Sequence, residues 1–379
     1  IKKKVTMLIR ILTCATTKEI KSEMRDIDVD EYGIDIMLPK AQYYLIKIDK
    51  IKNISANIIK QQMLSLGGDA AISRKSLVNP EGETGAILMG TRAIFISLAE
   101  KLKKQPFGLK DLAKEITALI KIRTSELQNS RTLIMGILNL TPDSFYDGGK
   151  YNSIEKAIDY AKNMIDNGAD IIDIGGESTR PGFKSISLEE EKARVLPVVE
   201  ALLKKYGKHI KISIDTTKAD IADKCLNMGA SIINDVSGLS NDPQMIKIAV
   251  KYNVPIVIMH CNGPLENIFN FFQEKIEWAI TNKISYDNII LDPGIGFGKK
   301  GQDNLLILRK IKEFKSFGLP ILVGASRKSF IGEILSNKAE ERLAGSLAVA
   351  VYCALNDVDI LRVHDVKETA EAVKIANSL

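Results

Sequence analysis

From about residue 131 the chain alternates short runs of β-branched and aliphatic residues with stretches whose apolar positions recur at helical spacing. The runs predict strands at Leu133–Leu140, Ile171–Ile174, Ile210–Asp215, Ile232–Val236, Pro255–His260, Ile289–Asp292, Pro320–Gly324 and Ile360–His364. Between them the pattern predicts helices, among them Ile154–Asn167, Leu188–Tyr206, Ala219–Met228 and Glu340–Leu355, with Val366–Asn377 closing the chain. Eight strand–helix units in about 250 residues match the count and size of a (β/α)8 TIM barrel.

The first part of the chain has a different rhythm. Val5–Leu12 and Ile34–Leu38 are predicted as strands, and Lys18–Arg25, Ala56–Leu66 and Leu109–Lys121 as helices. Ala86–Met89 reads as a further strand leading into a helix over Arg92–Lys104, and Gly67-Gly68-Asp69 and Asn79-Pro80-Glu81-Gly82 mark turns. The class is therefore α/β: a small N-terminal α/β domain over residues 1–128 and a barrel over 129–379. The boundary falls in the polar run Ser125-Glu126-Leu127-Gln128-Asn129-Ser130.

Composition narrows the class further. The 379 residues, 45% hydrophobic and 26% charged, suit a well-cored soluble protein of more than one domain. No apolar run approaches the ~18 residues of a membrane span, and the basic start Ile1-Lys2-Lys3-Lys4 precedes too short an apolar piece for a signal peptide. The four cysteines are scattered without a CxxC pair, which fits a reducing cytoplasm and offers no disulfide or metal framework. The net charge of +6 sits in the front domain. Residues 1–130 hold 22 Lys+Arg against 15 Asp+Glu, while residues 131–379 hold 31 against 32. No aromatic RNA-binding motif accompanies the excess, so it reads as solvated surface and not as a nucleic-acid site.

Chemistry-bearing side chains end every predicted barrel strand: Asn139, Asp173, Asp215, Asn234 with Asp235, His260, Asp292, Lys328, and Arg362 with His364. The carboxyl ends of the strands build the active site in this fold. Eight strand ends converging on one rim predict an enzyme or a tight small-molecule binder. After the first strand, Thr141-Pro142-Asp143 opens a polar loop that carries Phe145 and Tyr146 and ends in Gly148-Gly149, as expected of a lid. After the second, Gly175-Gly176-Glu177-Ser178-Thr179-Arg180-Pro181-Gly182 offers Arg180 as a fork for an anion such as pyrophosphate. Gly294 to Lys300 is glycine-rich before lysines but lacks P-loop spacing. The rim histidines have no HxxxH spacing or third clustered ligand for zinc. A Schiff-base role for Lys328 is weaker than an electrostatic one, given its neighbour Arg327.

The segments Met135–Gly149 and Asp173–Gly182 together resemble the paired signatures of the dihydropteroate synthase family. Ser213-Ile214-Asp215-Thr216, Ile233-Asn234-Asp235-Val236, Leu291–Lys299, Gly324–Ser329 and Arg362–Asp365 extend the resemblance over residues 131–379. One departure follows Met259-His260, where Cys261-Asn262-Gly263-Pro264-Leu265-Glu266 replaces the expected arginine and Thr-Pro pair. The N-terminal domain has no counterpart in the minimal enzyme.

The resemblance implies condensation of 6-hydroxymethyl-7,8-dihydropterin pyrophosphate with p-aminobenzoate to 7,8-dihydropteroate and pyrophosphate, through early departure of pyrophosphate and amine attack on a pterin cation. It implies catalytic roles for Asp215, Asp292, Lys328 and Arg180. Pterin contacts would come from Asp215, Asn234, Val236, Met259, Asp292, Phe297, Gly324 and Lys328. Pyrophosphate would be held by Asn139, Arg180, Arg362 and His364, with Mg2+ on Asn139. The aminobenzoate pocket would be Phe145, Thr179, Pro181, Phe297 and Ser329. A homodimer, without nucleic-acid or membrane partners, is the implied assembly. Pterin chemistry supports these residue types independently, because carboxylates accept from the N–H groups of the 2-amino-4-oxo edge and Asn both donates and accepts. A methyltetrahydrofolate–corrinoid methyltransferase shares the pterin pattern but needs no pyrophosphate site. A non-catalytic pterin sensor would not need the lid, anion and metal residues.

Overall fold

A computed structural model of the chain describes residues 10–12, 16–125, 131–141, 150–177, 185–261 and 265–378. Two compact units emerge, Ile1–Asn129 and Ser130–Leu379.

The first unit contains helices α1 (Thr17–Asp26), α2 (Glu31–Ala41), α3 (Asn53–Ser65), α4 (Arg92–Leu102) and α5 (Leu109–Ser125). Its strands are β1 (Tyr43–Lys52), β2 (Asp69–Ile72) and β3 (Glu83–Thr91), an antiparallel sheet in the order β1-β3-β2. One face of this sheet packs on Ile59, Met63, Phe95, Leu98, Leu102 and Ile116 from α3, α4 and α5. The helices predicted at Lys18–Arg25, Ala56–Leu66, Arg92–Lys104 and Leu109–Lys121 are α1, α3, α4 and α5. Ile34–Leu38, predicted as a strand, instead lies within α2. Asp30 caps that helix by accepting from the Gly33 N–H at 2.7 Å, and Ile34 and Leu38, one turn apart, are its buried stripe. The alternation of Ile34, Asp35 and Ile36 imitates a strand, but only the four-residue spacing is used. The strands actually present include β1, whose Tyr44, Ile46 and Ile48 alternate toward the core, and the short β2. Residues 5–9 of the predicted first strand lie outside the described residues, and 10–12 form no regular element.

The second unit is a barrel. Its strands are β4 (Leu133–Asn139), β5 (Ile171–Gly175), β6 (Lys211–Asp215), β7 (Ile232–Asp235), β8 (Ile256–Met259), β9 (Ile289–Asp292), β10 (Leu322–Val323) and β11 (Ile360–Val363). All neighbours are parallel in the order β10-β11-β4-β5-β6-β7-β8-β9, and a bridge between Leu291 and Ile321 closes the circle. Helices α6 (Lys150–Asp166), α7 (Leu188–Tyr206), α8 (Ala219–Met228), α9 (Met245–Tyr252), α10 (Ile268–Thr281), α11 (Gly301–Arg309), α12 (Ser329–Leu335), α13 (Leu343–Leu355) and α14 (Val366–Ala376) accompany them. This is the predicted (β/α)8 TIM barrel.

Both faces of these strands are buried, which accounts for their continuous apolar runs. Met135, Ile171, Ile232, Val257, Ile290, Leu322 and Ile360 fill the interior, while Leu138, Ile172, Ile214, Ile258 and Leu291 belong to the larger core with the helices. Each such side chain contributes roughly 1.5–3 kcal/mol on burial. The packed interior leaves the carboxyl rim as the place for chemistry. No described helix is long and apolar enough to cross a membrane.

Candidate active site

Four strand ends meet around one guanidinium. Arg362 of β11 donates Nε to Asp173 Oδ2 of β5 at 2.6 Å and Nη2 to Asp215 Oδ2 of β6 at 2.6 Å. Asn234 of β7 donates Nδ2 to the same Asp173 oxygen at 3.1 Å. Asp173, Asp215 and Asn234 are all buried, and the second carboxylate oxygens of Asp173 and Asp215 have no partner among the described residues. Burial raises the Asp215 carboxyl above the usual range; the Arg362 charge opposes this and the Asp173 charge adds to it. Burial would lower the pKa of Arg362, but the two carboxylates prevail and raise it. Buried, unspent acceptors of this kind call for a ligand with N–H donors.

Asp292 ends β9 on the same rim. Its Oδ1 accepts from the Gly294 N–H at 2.7 Å, and burial pushes its carboxyl up to about 6 against the opposing effects of that bond, Lys328 and Lys299. The following loop wraps around the Lys299 ammonium, which donates to the carbonyls of His260 (2.7 Å), Gly294 (2.9 Å) and Phe297 (3.1 Å). Burial holds Lys299 down at about 8, with Asp292 opposing. Gly294 has φ +68°, and a Cβ there would lie 2.1 Å from the His260 carbonyl, so only glycine fits. Phe297, presented by this loop, lies under the Lys328 ammonium, 4.1 Å from its ring centre.

A cavity of about 410 Å3 opens beside these groups, lined by Asn139, Phe297, Gly324, Lys328, Ser329, Arg362 and His364, with Arg327, Glu340 and Arg342. Its charged wall residues are four cations, of which Arg327 and Arg362 are paired with aspartates, against the single Glu340, a balance that suits an anion. Arg327, in the left-handed region at φ 56°, turns the chain into α12; it donates Nε to Asp365 at 2.9 Å, while Arg342 donates to its carbonyl at 3.0 Å. His364 is anchored through Ser326, whose hydroxyl lies 3.1 Å from Nδ1.

The expected site residues are thus distributed as follows. Asp215, Asn234 and Asp292 are gathered as buried acceptors, and Asn139, Phe297, Gly324, Lys328, Ser329, Arg362 and His364 line the cavity. Arg362 serves both regions. Val236 follows β7, and its carbonyl accepts from the Cys261 thiol; Met259 ends β8 and is buried. Phe145, Thr179, Arg180 and Pro181 lie outside the described residues. The sequence reading of the site omits Asp173 as a partner of Arg362 and Asn234, and Lys299 as the centre of the Gly294–Lys299 loop. The strand-end position of Asp173, two residues before Gly175 on the same face, is the signal that points to it.

Comparisons with known proteins agree with this geometry. A protein family described as "Pterin binding enzyme" matches residues 135–364. The dihydropteroate synthase of Bacillus subtilis is 46% identical over 270 residues, covering 69% of this chain and 94% of that protein. A probable bifunctional folylpolyglutamate synthase/dihydropteroate synthase of Halobacterium salinarum is 36% identical over 365 residues, covering 91% of this chain and 44% of that protein. The crystal structure of a Clostridium difficile dihydropteroate synthase in the presence of pteroic acid superposes with a TM-score of 0.63 at 45% identity, covering 66% of this chain and 97% of that one.

Proposed function

The chain belongs to the dihydropteroate synthase family of pterin-binding transferases, and on that premise we propose that its barrel condenses 6-hydroxymethyl-7,8-dihydropterin pyrophosphate with p-aminobenzoate. The products are 7,8-dihydropteroate and pyrophosphate, a step of folate biosynthesis. One observation carries the reading: buried acceptors for a donor-rich ring stand beside a cationic cavity for its leaving group.

Asp215 and Asp292 hold the ring edge, Asn234 adds an amide, and Val236, Met259 and Gly324 border the ring. Breaking the carbon–oxygen bond leaves positive charge on the pterin, which the two carboxylates stabilise where it develops. Lys328 completes the ring contacts, and Arg362 and His364 hold the departing anion, a role proposed for Arg180 as well. Phe297 and Ser329, with Phe145, Thr179 and Pro181, receive the aminobenzoate. Its aniline nitrogen is neutral at pH 7 and attacks without a strong general base, so no paired His–Asp base is required.

Asn139 would hold a magnesium ion only together with oxygens of the pyrophosphate. A single neutral oxygen among cationic neighbours is a weak donor set alone, and the described residues offer no metal-binding cluster. Mg2+ keeps water and takes phosphate oxygens readily, and when bound it neutralises charge on the leaving group.

We place the protein in the cytoplasm, in line with the free Cys225, Cys261 and Cys353. We also propose a homodimer through α13. This helix, Leu-Ala-Gly-Ser-Leu-Ala-Val-Ala-Val-Tyr-Cys-Ala-Leu, carries no charge yet exposes Tyr352 and Leu355, and neighbouring α12 exposes Ile334 and Leu335. Leu355→Glu should then shift the sedimentation coefficient to that of a monomer; an unchanged coefficient removes this face from the assembly.

The assay for the reaction supplies the purified chain with the pterin pyrophosphate and p-aminobenzoate, with and without Mg2+. Dihydropteroate formed with equimolar pyrophosphate is expected. Pterin binding without product would overturn the synthase reading.

A further inference from the structure

We propose that Asp173 is a positioning residue for the pterin site, fixing which end of the Asn234 amide faces the ring and pinning Arg362 beside it. The inference rests on the pterin reading above. Asp173 is 0% exposed, whereas Asn234, Asp215 and Asp292 keep 2%, 4% and 6%, so it acts through its neighbours and not on substrate.

Its chemistry dictates the arrangement. An ionised carboxylate only accepts, so the Asn234 nitrogen must face it and the amide oxygen must turn away. The same oxygen receives Arg362 Nε while Asp215 receives Nη2, so the planar guanidinium is held at two corners. Apart from the second oxygen of the fully buried Asp173, three acceptors then remain for a ligand: the second oxygen of Asp215, the amide oxygen of Asn234, and the Asp292 oxygen not used by Gly294. An acceptor-rich site selects a ring edge rich in N–H, such as a 2-amino ring, over one with oxygen at that position. Without Asp173 the Asn234 amide is free to turn and offer its nitrogen, and the selection relaxes.

The test uses the full chain and two probes, pterin and its 2-oxo counterpart lumazine, with binding followed by calorimetry and folding by thermal melts. The native chain should prefer pterin. Asp173→Asn retains an oxygen that can accept both bonds and should keep that preference within about threefold. Asp173→Leu should bind pterin about tenfold more weakly and lose most of the preference. A folded Asp173→Leu chain with the native preference, whatever its affinity, overturns the assignment, because a merely structural role would weaken both rings alike. Should Asp173→Leu fail to fold, the reversed pair decides. Asn234→Asp sets two carboxylates against each other and should weaken pterin by about tenfold, and adding Asp173→Asn should recover most of the loss. No recovery overturns the assignment. A native chain that binds neither ring overturns the pterin reading and this inference with it. A native chain that binds pterin, with variants behaving otherwise than stated, overturns this inference alone.

Discussion

Replacing Asp292 by Asn should stabilise the barrel while weakening the site. The residue is 6% exposed, and burial pushes its carboxyl up to about 6 despite the Gly294 N–H, Lys328 and Lys299. In the unfolded chain the same group titrates near ~3.9. Between those values the folded state keeps a proton that the unfolded state has released. Stability therefore falls as pH rises from about 4 to about 6 and stays reduced above that. Two pH units correspond to about 3 kcal/mol, an upper figure for what a neutral isostere recovers at pH 7.5. In a barrel of this size that is a rise of about 5–10 °C in Tm. The ligand side has the opposite sign, since losing a charge-assisted hydrogen bond costs about 1.5–3 kcal/mol, or roughly 10- to 100-fold in KM for the pterin substrate. Trp278, the single tryptophan of the chain, lies on α10 in the barrel, so its fluorescence in urea melts reports barrel unfolding. Melts of native and Asp292→Asn protein at pH 4 and pH 7.5 should show the stability gain at the higher pH only. A gain independent of pH, or a loss at pH 7.5, refutes the reasoning.

Other expectations follow from the same geometry. Asp215→Asn should lower kcat/KM by at least about 1000-fold with an unchanged far-UV spectrum, because the ring would lose a carboxylate and Arg362 a partner; a mutant with the native rate removes Asp215 from the mechanism. Gly294→Ala should destabilise the barrel by about 3 kcal/mol or more in urea melts, since its Cβ would strike the His260 carbonyl in a left-handed turn. The kcat/KM of the native enzyme for the pterin substrate should rise with pH through about 6 as Asp292 ionises, and a flat profile from pH 5 to 7 would exclude its ionised form from binding.

The barrel strands were legible because a strand buried on both faces leaves an unbroken apolar run, and a polar residue at its end has only the rim to occupy. The N-terminal unit was less so. Ile34, Asp35 and Ile36 alternate like a strand, yet the Asp30 cap and the Ile34–Leu38 spacing make the segment helical. The gathering of Asp215, Asn234 and Asp292 on one rim was legible because each lies at or next to a strand end. A role that arises from convergence was not legible. Asp173 acquires its function from a guanidinium 189 residues away, and Lys299 from carbonyls that meet only when the loop closes. The strand-end position of Asp173 marks it as a rim residue, but local spacing records neither set of partners.

The closure of the barrel is uneven. The β9–β10 seam consists of a bridge at Leu291–Ile321, and β10 itself spans only Leu322–Val323, whereas β4 and β5 share five paired positions. Local opening follows the weakest ladder, so amide exchange in the barrel should be quickest around Leu291 and Ile321–Val323 and slowest along β4–β5–β6. That seam separates Asp292 from the Gly324–Lys328 segment. The two halves of the proposed ring-binding surface are thus mounted on either side of the barrel's softest joint, and a ligand gripping both would act as the staple that the hydrogen-bond ladder lacks.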